Sequence, residues 1–276
     1  MSGKLYLVAT PIGNLEDMTF RAVRVLGEAD VVAAEDTRNS GRLLKHFNIS
    51  KPLISYYEHN KKLREDHLLS LLREGKDIAL ICDAGTPGLS DPGADIAAAA
   101  IAAGIEVISV PGASALLTAL TSSGLDKGSF CFEGFLPREK NPRRKALQAL
   151  AEEKRVMVFY EAPHRLKATL TDMAEAFGGR RQIAICRELT KLHEEKLRGT
   201  IEEMQLHFEQ VPPKGEFCLV LAGAPLCEAA VDWQEIENEF VALLAEGVSR
   251  REASKSLGKK HRVSPREIYA LGLKEE

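Results

Sequence analysis

Three short loops hold the residue types that could take up a small ligand. They are Thr10-Pro11-Ile12-Gly13-Asn14, Asp83-Ala84-Gly85-Thr86-Pro87-Gly88 and Pro111-Gly112-Ala113-Ser114. Glycine lets backbone approach a ligand closely, and proline stiffens a turn without offering an N–H. Each loop alone is an ordinary strand-to-helix turn, but three on one sheet edge would make a shared pocket. No G-x-G-x-x-G follows a strand-like run, and G-x-x-x-x-G-K-[ST] is absent. There is no H-E-x-x-H, the seven histidines are dispersed, and the cysteines at 82, 131, 186, 218 and 227 form no C-x-x-C pair. These patterns argue against a metal cluster, a His-based triad and a disulfide framework, and suit a reducing cytosol. The chemistry that remains is recognition of a small ligand without a polyphosphate, and no metal is expected.

Holding such loops requires a sheet. Leu5–Ala9, Val31–Ala34, Ile78–Cys82 and Val107–Val110 are short, nearly all-apolar runs, as expected of strands covered on both faces. Thr19–Leu26, Arg42–Phe47, Leu63–Arg73 and Ala94–Ala103 read as helices between them. The βαβα order implies a mostly parallel sheet wrapped by helices, with the ligand crevice beyond the carboxyl ends of the strands. A second α/β unit starts at Phe130-Cys131-Phe132. Its further strands are Val156–Tyr160, Ile183–Cys186 and Phe217–Ala222, and its helices Lys145–Glu153, Leu166–Phe177 and Ile201–Gln210. The last 45 residues read as helix. Asp232 can cap a helix with Ile236, Phe240 and Leu243/Leu244 on one face, and Gly247 ends it. Ser249-Arg250-Arg251-Glu252 and Ser264-Pro265-Arg266-Glu267 have capping-box spacing, with Gly258 stopping the helix between them. The expected fold class is α/β with two α/β domains, 1–124 and 125–228, and a helical module, 229–276.

The 276 residues are 45% hydrophobic and 28% charged with a net charge of −3, an ordinary globular composition. No run approaches eighteen apolar residues, and no signal-peptide pattern opens the chain, so a cytoplasmic protein without a membrane span is expected. The charge is uneven: from Val248 to Lys274, eight Lys/Arg face two acids. A basic tail on an acidic body suggests an anionic partner, although a solvated charged face is the plain alternative. Placed on capped helices with Lys259-Lys260-His261-Arg262 in the turn between them, these residues favour a nucleic-acid backbone. A second cluster, five basic residues among the eight from Arg138 to Lys145, reads as an exposed loop.

The loops, taken with Ala34-Glu35-Asp36-Thr37-Arg38, Cys82–Gly93 and Val110–Leu116, closely resemble the tetrapyrrole methylase superfamily. Phe132–Pro137, Phe159–Arg165 and Arg187–Lys191 extend the match over essentially the whole chain and direct it to a branch acting on ribosomal RNA of the small subunit. The resemblance implies a two-domain enzyme with S-adenosylmethionine (SAM) in the interdomain cleft, usually a homodimer. It also implies methyl transfer to the 2′-hydroxyl of a cytidine in the decoding region of 16S rRNA. Where tetrapyrrole-acting relatives show G-P-G-D-P and G-D-P, this chain has Thr10–Asn14 and Gly85-Thr86-Pro87. A same-fold enzyme acting on a tetrapyrrole or other small molecule stays open as an alternative, as does a non-enzymatic nucleic-acid-binding regulator.

Motif matching assigns the cofactor to Ile12, Thr86, Leu89, Ser114 and Ala115, with Tyr160, Leu189 and Ala222 from the second domain. For the apolar members the plain alternative is core packing. Glu188 and Lys191, and Asp36 and Arg38, leave strand ends toward the cleft and are candidate catalytic residues, with an ion pair or helix cap as the alternative for each. Arg143, Arg144, Arg250, Arg251, Lys259 and Lys260 are the candidate RNA contacts.

Overall fold

The computed structural model describes residues 2–57, 61–125, 128–225, 233–261 and 263–271. Asp232, Arg262, Lys274 and Cys227 lie outside the described residues.

Five short apolar runs form the first sheet: β1 (Leu5–Val8), β2 (Val31–Ala34), β3 (Leu53–Ser55), β4 (Ile78–Ile81) and β5 (Val107–Val110). Their order is β3-β2-β4-β1-β5, and every pair is parallel. Strands β2 and β4 are buried at every residue, which explains their unbroken hydrophobicity. Helices α1 (Phe20–Glu28) and α2 (Thr37–His46) cover one face through Ala22, Val25, Leu26 and Leu44. Helices α3 (Lys61–Arg73) and α4 (Gly93–Ala102) cover the other through Leu68, Leu72, Ile96 and Ala100. Strand β3 is three residues long and escapes the periodicity reading for that reason.

Helix α5 (Ala115–Ser123) leads into the second sheet, made of β6 (Phe130–Phe135), β7 (Val156–Glu161), β8 (Gln182–Arg187), β9 (Glu195–Thr200) and β10 (Phe217–Leu221). The order is β6-β7-β10-β8-β9; β6 and β7 are parallel and the remaining pairs antiparallel. Its outer face packs α6 (Lys140–Ala149), α7 (Leu166–Phe177) and α8 (Ile201–Gln210) over Met157, Phe159 and Leu219. Its inner face meets α5, where Leu116, Ala119 and Leu120 pack with Val158, Ala184 and Val220. Strand β9 was not expected from sequence. Among the described residues it pairs only with β8, it is half exposed along most of its length, and its Glu195, Lys196 and Arg198 hide the alternation.

The chain divides into two compact units, Met1–Ala224 and Pro225–Glu276. The second is a bundle of α9 (Trp233–Ala245), α10 (Arg250–His261) and α11 (Pro265–Leu271) around Ile236, Phe240, Ala253, Leu257 and Ile268. Gly258 does not stop α10, which runs one turn further. A Cβ there would lie 2.9 Å from the Pro265 ring and 3.0 Å from the Val263 carbonyl, so the glycine serves close approach of α11. Lys259 and Lys260 therefore sit on the last turn of a helix, where cations complement the dipole, and not in a turn.

Candidate functional site

The three Gly/Pro loops leave β1, β4 and β5, which are adjacent in the order β4-β1-β5. Because these strands are parallel, their carboxyl ends lie side by side, and β2 adds a fourth end beside β4. The loops then lock together. Thr10 and Gly85 exchange backbone hydrogen bonds (2.8 and 3.0 Å), and Thr86 Oγ1 donates to the Ala113 carbonyl at 3.1 Å. Gly85 holds φ +82°, and a Cβ on it would press on Ile12 at 3.3 Å. Gly13 packs on the second sheet's Leu189–Lys191 turn so closely that a Cβ would meet Lys191 Cγ at 2.4 Å.

A cavity of about 360 Å³ opens beyond these ends, a size that suits a small ligand. Ile12, Thr86 and Leu89 line it from two of the loops, and Ser114 and Ala115 from the third. Tyr160 and Leu189 face it from the second sheet. Seven of the eight residues that motif matching groups together are thus brought to one cavity. Ser114 also accepts from Leu117 N–H as the N-cap of α5, and Tyr160 Oη accepts from Leu116 N–H at 3.1 Å. Burial pushes the Tyr160 phenol up to about 12 and the Cys82 thiol, also on the wall, up to about 12. Both stay protonated at neutral pH.

Ala222 is elsewhere. Strand β10 runs antiparallel to β7, with Phe217 opposite Glu161 and Leu221 opposite Met157, so the start of β10 meets the cavity through Phe217 and Cys218. Ala222 follows the far end, where its N–H donates to Gln182 O. Motif matching groups Ala222 with the cofactor residues, but the antiparallel direction of β10 puts its carboxyl end away from the cavity.

The four candidate catalytic residues do not line the cavity either. Glu188 and Lys191 form an ion pair (2.9 Å) extended to Glu216 (2.8 Å), and Glu188 Oε1 accepts from Glu216 N–H, so the group ties the end of β8 to the start of β10. Asp36 caps α2 by accepting from Arg38 N–H at 2.8 Å and pairs with the Arg38 side chain, which is 88% exposed. The plain alternatives, ion pair and helix cap, describe these four. The residue at the cavity is Glu35, one position before Asp36. Its signal in the sequence is weak: it is the first of two adjacent acids that follow the apolar run Val31–Ala34. Glu161 also lines the cavity unannounced, accepting from Ala162 N–H (2.8 Å) and Thr169 Oγ1 (2.5 Å). Arg165 lies 3.3 Å from Glu161 Oε1 and donates to the Leu136 and Pro137 carbonyls, which sets Phe135 at the rim, 5.6 Å from the Tyr160 ring.

Residues 4–205 match the family described as Tetrapyrrole (Corrin/Porphyrin) Methylases. The chain belongs to the tetrapyrrole methylase family. It is 50% identical over 275 residues to a Synechocystis sp. protein named Ribosomal RNA small subunit methyltransferase I, covering 99% of each chain. A protein of the same name from Halalkalibacterium halodurans is 49% identical over 276 residues, covering 98% of this chain and 94% of the relative. Among solved structures, the fold is shared with uroporphyrin-III C-methyl transferase from Thermus thermophilus complexed with S-adenyl homocysteine. That match has a TM-score of 0.58 and 21% identity, and covers 80% of this chain and 97% of the other.

The basic residues of this methylase divide into two kinds. Arg143 and Arg144 lie on helix α6, not on a loop, and are spent internally. Arg143 is buried, with Nε and a terminal nitrogen each 2.7 Å from Asp172 Oδ2, and Arg144 reaches Asp172 Oδ1 (2.7 Å) and Glu175 (2.5 Å). Proline at 142 suggests a loop, but the first turn of a helix accepts it. Arg138, Lys140 and Lys145 stay exposed. On the helical unit Arg251 and Lys259 are exposed, Arg250 is half-buried, and Lys260 pairs with Glu239 at 2.5 Å. Ser249 caps α10 by accepting from Glu252 N–H at 3.3 Å. Ser264 takes the Arg266 N–H instead of completing a capping box with Glu267. Among the described residues no three His, Cys, Asp or Glu side chains cluster as metal ligands, and no helix is long and apolar enough to cross a membrane.

Proposed function

We propose that this chain is a SAM-dependent methyltransferase that methylates the 2′-hydroxyl of a cytidine in the decoding region of 16S rRNA. The observation that carries the reading is the wall of the cavity: Glu35, Asp91, Glu161 and Glu216 line it, and among the described residues no Lys, Arg or His does. Such a wall suits a cationic sulfonium and repels a polyphosphate. Ile12, Leu89, Ala115 and Leu189 offer apolar surface for an adenosine and a methyl group, and the interlocked loops offer backbone for its polar edges. When bound, SAM supplies an activated methyl group on a good leaving group. The protein's tasks are then to align the acceptor oxygen and to receive its proton. Full-length likeness to proteins named for small-subunit ribosomal RNA directs the acceptor to that RNA.

In this reading 1–124 and 125–228 together hold the cofactor, 229–276 grips RNA backbone through Arg250, Arg251, Lys259 and Lys260, and the enzyme works as a homodimer in the cytoplasm. The test is incubation of protein and labelled SAM with unmethylated 30S subunits, followed by mapping of the label. A 2′-O-methyl blocks alkaline cleavage at the following phosphate. Label at a position that still cleaves refutes the ribose assignment, and label on a tetrapyrrole but not on RNA refutes the substrate class.

A further inference from the structure

Four carboxylates line the cavity, and three are committed to holding it together. Asp91 accepts from the N–H groups of Gly88 (2.9 Å) and Gly93 (2.7 Å) and so shapes the turn into α4. Glu161 is buried and taken up by Ala162, Thr169 and Arg165. Glu216 pairs with Lys191. Glu35 differs from all three. It stands half-buried at the end of β2, beside the loop leaving β4, and among the described residues no Lys, Arg or His pairs with it. We infer that Glu35 is the group that accepts the proton from the methyl-acceptor hydroxyl.

The surroundings suit that task. Burial pushes the Glu35 carboxyl above its ordinary value, and the negative charge of Asp83 adds to it, against an N–H that Asp83 donates. Asp91 and Asp36 push the same way. Cys82 at the end of β4, protonated at neutral pH, and Tyr56 after β3 complete the groups facing it, and neither brings a positive charge. A carboxylate with no compensating cation is a stronger base than one in an ion pair, because its charge is stabilised by little except water and one N–H. The step balances. The ribose oxygen bonds to the methyl carbon, the methyl–sulfur bond breaks with its electron pair staying on sulfur, and the hydroxyl proton passes to Glu35. The inference rests on the methyl-transfer reading above. It adds the residue one position before Asp36, which is one of the four candidates at strand ends and whose side chain is turned to the helix cap.

The experiment compares full-length wild type, Glu35→Gln and Glu35→Asp on unmethylated 30S subunits with labelled SAM, under single-turnover conditions from pH 5 to 9. Calorimetric SAM binding and RNA binding are measured in parallel. Glu35→Gln keeps the shape and removes the base, so the rate should fall by about 10²–10⁴-fold, while SAM affinity, with Asp91, Glu161 and Glu216 still on the wall, should fall by no more than about tenfold. The acid limb of the wild-type pH profile should vanish, and Glu35→Asp should restore part of the rate with its acid limb displaced. A Glu35→Gln rate within about threefold of wild type, with the same acid limb, would overturn the assignment of Glu35 alone. Loss of SAM binding in Glu35→Gln would overturn it too, making Glu35 a ligand contact. If wild type transfers no methyl group to RNA, the functional reading itself fails, and this inference with it.

Discussion

Replacing Asp172 by alanine tests whether Arg143 and Arg144 are structural or RNA-facing. Asp172 is 2% exposed and joins both arginines, so its removal leaves Arg143, 5% exposed, with only the Arg138 carbonyl at 3.2 Å. An uncompensated buried charge costs about 3–5 kcal/mol, whereas losing an exposed pair costs roughly 0–1 kcal/mol. At a urea m-value of about 2–3 kcal/mol/M, the unfolding midpoint should drop by roughly 1–2 M. Urea titration followed by far-UV circular dichroism reads this directly. Burial pushes the Asp172 carboxyl up, but the hydrogen bonds from Arg144 and Arg143 outweigh it and hold the group below its ordinary value. A carboxyl lowered in the folded state stabilises above the ordinary carboxylate range, and that contribution is lost as pH falls through the folded value. The gap between Asp172→Ala and wild type should therefore be full at pH 7 and narrow below about pH 4. A midpoint within about 0.3 M of wild type at pH 7 would refute the reasoning, because a buried, unpaired Arg143 cannot be so cheap.

Tyr160→Phe removes the acceptor for Leu116 N–H, so calorimetry should show weaker SAM binding and unfolding should show a loss of about 1–2 kcal/mol; unchanged values would move Tyr160 out of the site. Alanine at Arg251 and Lys259 should each lower the log–log salt slope of RNA binding by about one unit while leaving SAM affinity unchanged. Lys260→Ala should lower it less, because Lys260 pairs with Glu239. Equal RNA affinity and slope in all three would make the basic face a solvated one.

Much of the molecule is legible in the one-dimensional pattern. Strands β2 and β4 are buried at every residue and must be apolar throughout, β1 and the less buried edge strand β5 still read as short apolar runs, and right-handed parallel crossovers leave their loops at one edge. Ile12, Thr86, Leu89, Ser114 and Ala115, which motif matching groups by family resemblance, lie on those loops or just after them and line one cavity. The positive φ at Gly85 is likewise a local demand that residue type reveals, whereas Gly13 answers to the distant Leu189–Lys191 turn. Other features depend on partners distant in the chain. The direction of β10 is set by pairing with β7 and β8, and it decides that Cys218, not Ala222, faces the cavity. The charge of Arg143 looks free until α7 brings Asp172 to it from 29 residues away. Glu35 and Asp36 are neighbours of the same type, and only the turn into α2 assigns one to the cap and the other to the cavity. Residue type shows what a side chain can do; the long-range pairing of strands and ions decides which one is left unpaired to do it.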